Sequence, residues 1–290
     1  MNPAVLSRSS LLRRVLAGVL GVGAGLALAP VVSAQPKPAK PAPVPKACNV
    51  TAIPMAVGNS WTYEPVATPP ELDLTEAQKK QTPLPPQKVV ISVSAIDTKD
   101  GVTTVTLHEE STFQIAADKP ADVKAHDTQI TCTAGGARFA VGLDAFWFAG
   151  EPGSFHGIEL SDIERKGQSL SLAGGKINAA ASDWHDDVVA KWKHVPTGKA
   201  TPQMRSGTVT IARHWVLQKD EAIATKLGSW TTKKLGLENT TTVTLEPAPP
   251  EPLKEPVLRV NFLWIADGVG PVQVVNAFGQ TFQLNAATLK

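Results

Sequence analysis

The chain is poor in the residues that usually carry chemistry. In 290 residues it has one tyrosine, two cysteines and six histidines. No G-x-S-x-G occurs, which removes the nucleophile elbow of a hydrolase. Neither H-x-x-x-H nor H-E-x-x-H occurs, so no helix offers two histidines to a zinc ion. A basic field is missing too. The formal charge of +2 leans on Arg8, Arg13 and Arg14. Beyond Ala34 the count is 25 basic against 26 acidic residues, and without three lysines before Cys48 it is 22 against 26. Nothing there draws nucleic acid or anionic lipid. Ser154 and His156 in "PGSFHG" read as a turn that holds a histidine, since a third catalytic member is absent.

What is present begins with a leader. The three arginines precede "VLAGVLGVGAGLALAPVV", Val15 to Val32, and Val32-Ser33-Ala34 has small residues where a signal peptidase reads. The expectation is an export signal over 1–34, cleaved after Ala34. The competing reading is an uncleaved membrane anchor. Residues 35–47, with "QPKPAKPAPVPK", form a spacer of extended, polyproline type. Residues 48–290 remain as one β-domain, long enough to bury a sizeable core. The expected location is the bacterial periplasm or beyond, with no membrane span left after cleavage. Two cysteines in an exported chain suggest one disulfide, Cys48 to Cys132.

Strand patterns dominate the domain. In "VGNSWTYEPV" a Gly58-Asn59 turn leads into a strand with Trp61 and Tyr63 on one face. "KVVISVSAIDTKDGVTTVTLHEES" is a hairpin about Asp100-Gly101. Val89, Ile91, Val93 and Ala95 face in, as do Val105 and Leu107 on the return. "DTQITCTAGGARFAVG" reads as a strand and a Gly135-Gly136 turn. "SGTVTIARHWVLQ" sets Val209, Ile211, Arg213, Trp215 and Leu217 on one face. Residues 69–86 are polar and bracketed by prolines, with at most a short helix over Thr75–Lys80.

"SDWHDDVVAKWKHV", Ser182 to Val195, is of mixed type. Trp184, Val188 and Trp192 recur every four residues, and Ser182 is a fair cap, so a short helix is favoured. A strand would also align these three, but would place Asp186 beside them. The fold expected is mainly β: a single large antiparallel sheet, strongly curved like half a barrel, with one or two short helices.

Three stretches carry a resemblance. "IPMAVGNSWTYE", "AIATKLGSWTTKKL" and "FLWIADGVGPVQVV" resemble a type of exported bacterial β-protein, many of them lipoproteins. These open with P-L-x-x-G-x-x-W-x-Y and close with W-x-A-x-G-V-G-x-V. Pro54, Gly58, Trp61 and Tyr63 match the opening, and Trp264, Ala266, Gly268, Val269 and Gly270 the close. Lys226 and Leu227 depart from the middle element. The resemblance implies a curved sheet like that of periplasmic lipoprotein carriers, and it carries no catalytic residue. The closing segment then reads as a fold-closing element, with Gly268 and Gly270 at a tight turn and Trp264 and Phe282 in the core.

Seven tryptophans either fill a large core or line an apolar pocket. Trp184 and Trp192 are the ligand-facing candidates. The function expected is non-catalytic: an envelope protein that binds an apolar small molecule or a protein partner. No cofactor and no metal is expected. The alternatives are a metal- or carboxylate-dependent hydrolase, built on His185 and Asp187, and a purely structural partner domain. Glu109 and Glu110 are strand neighbours and point to opposite faces, so they cannot work as a pair.

Overall fold

The computed structural model describes residues 52–67, 84–114, 119–133, 139–141, 146–149, 158–167, 183–195, 205–248 and 257–290. The leader, the spacer, Cys48, the stretch over 75–80, Gly135-Gly136, Ser154 and His156 all lie outside them. Among the described residues no helix is long and apolar enough to cross a membrane.

Thirteen strands are described: β1 (Ser60–Val66), β2 (Lys88–Lys99), β3 (Val102–Phe113), β4 (Asp122–Thr133), β5 (Phe139–Val141), β6 (Ile158–Gly167), β7 (Asp183–His194), β8 (Ser206–Leu217), β9 (Glu221–Thr225), β10 (Gly228–Glu246), β11 (Val257–Ala266), β12 (Gly270–Val275) and β13 (Thr281–Thr288). One turn of helix, α1 (Phe146–Ala149), lies between β5 and β6. The sheet is antiparallel and open, in the order β5-β4-β3-β2-β1-β13-β12-β11-β10-β8-β7-β6, with β9 attached to β10 alone. The expected mainly β fold is therefore observed.

Its curvature follows from a length argument. From β3 to β11 there are five strand steps, about 24 Å on a flat sheet. Yet α1, one turn and about 6 Å long, touches both. The Phe146 N–H donates to Glu109 of β3 (3.0 Å), and α1 comes within 8 Å of β11, Cα to Cα. The sheet must curl around the turn. Trp61 meets Trp147 edge-on at 5.0 Å and Phe146 meets Phe282 edge-on at 5.4 Å, geometries that aromatic quadrupoles favour. The Tyr63 hydroxyl donates to the Pro271 carbonyl (2.7 Å) and accepts from Trp147 Nε1–H (2.8 Å). That node ties α1 to β1 and β12 with no polar atom left over.

The inner face is alternate residues, as a pleat demands. Trp61, Tyr63, Val89, Ile91, Leu107 and Phe282 are fully buried there. One expected inward residue is not inward. A bulge between Val93 and Ala95 inserts Ser94, so Ile96 opposes Val105 while Ala95 opposes Thr106. The extra residue flips the side-chain parity, and Ala95 moves to the outer face.

On the outer face β9 and the start of β10 fold back over the middle of the sheet. The Gln283 side-chain amide donates to the Ala224 carbonyl (3.4 Å), and Lys226 reaches Glu64 of β1 (3.1 Å). Hence β12 is buried along its whole length. The closing segment is strand, turn, strand, turn, strand as expected, with Gly268 (φ 76°) and Gly270 (φ 97°) at its first turn. Gly270 packs its Cα side on Trp61 and Ile53, where an added Cβ would stand 3.4 Å from each. Trp264 and Phe282 are both fully buried, but on opposite faces. Leu263 and Phe282 both share a row with Val274. Trp264 instead lies under β9, its Nε1–H donating to Glu221 (2.7 Å) and the Lys234 ammonium 4.7 Å over its ring.

Candidate ligand-facing site

Ser182 to Val195 contains no helix among its described residues. Asp183–His194 is β7, paired with β6 on one side and β8 on the other. Helical spacing of Trp184, Val188 and Trp192 fits a strand equally well, because all three numbers are even. Local propensity yields here to two ladders of backbone hydrogen bonds.

As a strand, β7 carries Asp186 on the tryptophan face, and the structure provides for it. Asp186 and Arg213 sit directly opposite across β7 and β8. Arg213 holds the carboxylate with two donors, Nε at 2.8 Å and Nη2. Trp215 adds its Nε1–H at 3.4 Å. Both charged groups are buried, at 4% and 5% exposure. Such a pair is held by geometry rather than by net gain, since desolvation offsets most of the attraction. Its neighbours on the same face are Trp184, opposite Trp215, and Asn239, opposite Arg213.

Toward the far edge the face turns apolar again. Ala190, Trp192, Val209 and Ile211 form a second buried cluster, separate from the main core. Ile158, Leu160 and Leu245 pack against it. The charged row lies between this patch and Trp184, which belongs to the main core.

The six buried tryptophans divide into two kinds. Trp61 Nε1–H donates to the Val269 carbonyl (2.6 Å), and Trp147, Trp215 and Trp264 donate to Tyr63, Asp186 and Glu221. Trp184 (2% exposed) and Trp192 (8%) are as buried as these. Their indole N–H groups, however, find no acceptor, and the Asn239 Oδ1 finds no donor. A buried donor without a partner costs about 1–3 kcal/mol, and native proteins keep few of them.

The remaining candidates face elsewhere. His185 and Asp187 are exposed, on the opposite face of β7. His185 stacks on His214 across the strands at 4.1 Å, and His214 Nδ1 lies 3.4 Å from Glu238. No group of three or more metal-ligating side chains gathers among the described residues. Glu109 and Glu110 do part to opposite faces: Glu109 is 1% exposed and caps α1, while Glu110 meets His108 (3.3 Å) in solvent. The Glu109 role was missed in the sequence, where nothing marks its partner Phe146. Cys132 is buried on β4, its Sγ 3.7 Å from the Thr103 carbonyl oxygen.

No family model and no curated protein matches the chain. Among solved structures, a presumed exported protein with a YmcC-like fold from Bacteroides fragilis aligns with a TM-score of 0.43 and 12% identity, over 81% of this chain and 98% of that one. A presumed lipoprotein from Parabacteroides distasonis aligns with a TM-score of 0.42 and 12% identity, over 82% and 99%. Likeness at this level decides nothing about ligand or activity.

Proposed function

We propose that this chain is an exported, non-catalytic envelope protein that binds an apolar ligand on the concave face of its sheet, at Trp184 and Trp192. The observation that carries this reading is the contrast between tryptophans. Four buried indoles are hydrogen-bonded within the protein, and the two on β7 are not. An apolar ligand with one polar end would bury its body on the Trp192 patch and give one idle indole N–H group an acceptor. The leader over 1–34 and a Cys48–Cys132 bridge belong to the same proposal, since both fit an oxidising compartment outside the cytoplasm.

The test is a titration of the purified protein with a neutral long-chain alcohol, followed by tryptophan emission. Saturable binding is expected. Trp192→Phe keeps the ring bulk and removes the N–H, and should weaken binding by about 1–2 kcal/mol while leaving the free protein folded. A protein that never saturates, and that Trp192→Phe merely destabilises, has core tryptophans only. A hydrolase would instead lose turnover in His185→Ala or with chelator, and be indifferent to Trp192→Phe.

A further inference from the structure

The face that holds Trp184 and Trp192 carries, among the described residues, one arginine without an ion pair, Arg165. Arg165, on the edge strand β6, stands opposite Val188, so it projects to the same face as Asp186 and Arg213. Asp186 is already held by two donors of Arg213. Arg165 reaches solvent but is partly covered, and it has no ion-pair partner among the described residues. Among the described residues, Arg165 and Arg213 therefore share this face with one carboxylate, Asp186. Burial lowers the Arg165 pKa, and Arg213 adds to this while Asp186 opposes it, yet an arginine stays protonated at any working pH. On one side of this row lie Ala190, Trp192, Val209 and Ile211. Within the site, Trp184 and Trp192 keep unused donors, both at least nine-tenths buried.

Building on the function proposed above, we infer that the ligand is an anionic amphiphile, an acyl chain with a carboxylate head. The head pairs with Arg165, and the chain lies on the patch around Trp192. Charge complementarity selects this occupant. The single charge of Arg165 is neutralised by one monoanion, and a planar carboxylate fits the fork of a guanidinium. A neutral lipid would leave Arg165 unanswered. A dianionic phosphate monoester would leave a negative charge beside Asp186. An idle indole N–H group supplies a further donor to a polar group along the ligand.

The experiment compares a long-chain fatty acid with the fatty alcohol of the same length, on the protein and on Arg165→Gln and Arg165→Lys. The acid should bind at least about ten-fold more tightly than the alcohol, about 1.4 kcal/mol. Arg165→Gln should abolish that preference without changing affinity for the alcohol, and Arg165→Lys should restore part of it. Arg165 is an edge residue outside both apolar clusters, so these variants should fold; a thermal melt verifies this. If acid and alcohol bind alike, the carboxylate inference is wrong and the apolar site stands. Should the acid preference survive in Arg165→Gln, Arg165 is not the head-group partner and the inference falls. Failure of either lipid to bind overturns the apolar site and this inference together.

Discussion

Tyr63→Phe removes one oxygen atom and breaks two hydrogen bonds. The hydroxyl accepts from Trp147 Nε1–H at 2.8 Å and donates to the Pro271 carbonyl at 2.7 Å. Tyr63 is 0% exposed, so both partners stay buried and unsatisfied in the variant. At about 1–3 kcal/mol for each stranded group, the loss should be about 2–6 kcal/mol, trimmed if a water enters. That is a large share of the roughly 5–15 kcal/mol that holds a domain together. Urea unfolding of the wild type, Tyr63→Phe, Trp147→Phe and the double variant would measure it, and the cycle should return coupling, because both changes break the same bond. A loss under about 1 kcal/mol in Tyr63→Phe would refute the reasoning that this node fastens α1 to the sheet. The same residue makes an alkaline prediction. Burial raises the Tyr63 pKa well above its ordinary value; the Trp147 hydrogen bond lowers it by less, and Glu109 adds a still smaller rise. Its contribution to stability is complete below the unfolded value of about 10 and is lost as pH climbs from there toward the folded value. Tyr63 is the only tyrosine in the chain. Tyrosinate absorbance should therefore appear only with global unfolding, and an ordinary titration near pH 10 in folded protein would contradict this.

Three further outcomes are expected. Asp186→Ala takes from the buried Arg213 the carboxylate that holds two of its donors and should cost about 3–5 kcal/mol, whereas Asp186→Leu with Arg213→Met should recover most of it; chemical denaturation of the wild type and both variants decides. Gly207→Ala would set a methyl group on the Thr244 carbonyl oxygen across the β8–β10 ladder, so thermal unfolding should drop well below that of Gly268→Ala, where space is open and only the left-handed backbone resists. Intact mass with and without reductant should find Cys48 and Cys132 joined in exported protein, a bridge worth about 4 kcal/mol in the chain-entropy model; two thiols that alkylate without reductant would exclude it.

The sheet was legible because its strands alternate. The hairpin about Asp100-Gly101, the β8 face and the closing segment all announce a period of two, and each was found as expected. Ala95 escaped because a bulge leaves no mark in composition: Ser94 looks like any outward serine. The β7 strand was read as a helix because even spacing satisfies both periods, and only the cross-strand partner Arg213 explains how Asp186 can be inward. That partner lies 27 residues away. Trp184 and Trp192 stand out in the sequence because they share the one segment expected as a helix, which is the strand β7. What distinguishes them is their idle N–H groups, a property of three-dimensional pairing that no single stretch of sequence contains.

The seam between β1 and β13 has a consequence for the order of assembly. It is the pairing that joins β1–β5 to the rest of the sheet, and it is also fastened by Asn285 to Glu64 across 221 residues of chain. A protein is made from its first residue onward, so β1 to β5 exist long before β13 can reach them. One long edge of β1 therefore stays open until synthesis is nearly complete. Contacts this distant in sequence slow folding, because a large loop must close before they repay it. Under the export proposed above, in which the chain crosses a membrane as an extended thread, such delay would be useful: the sheet cannot lock while its last strands are still to come.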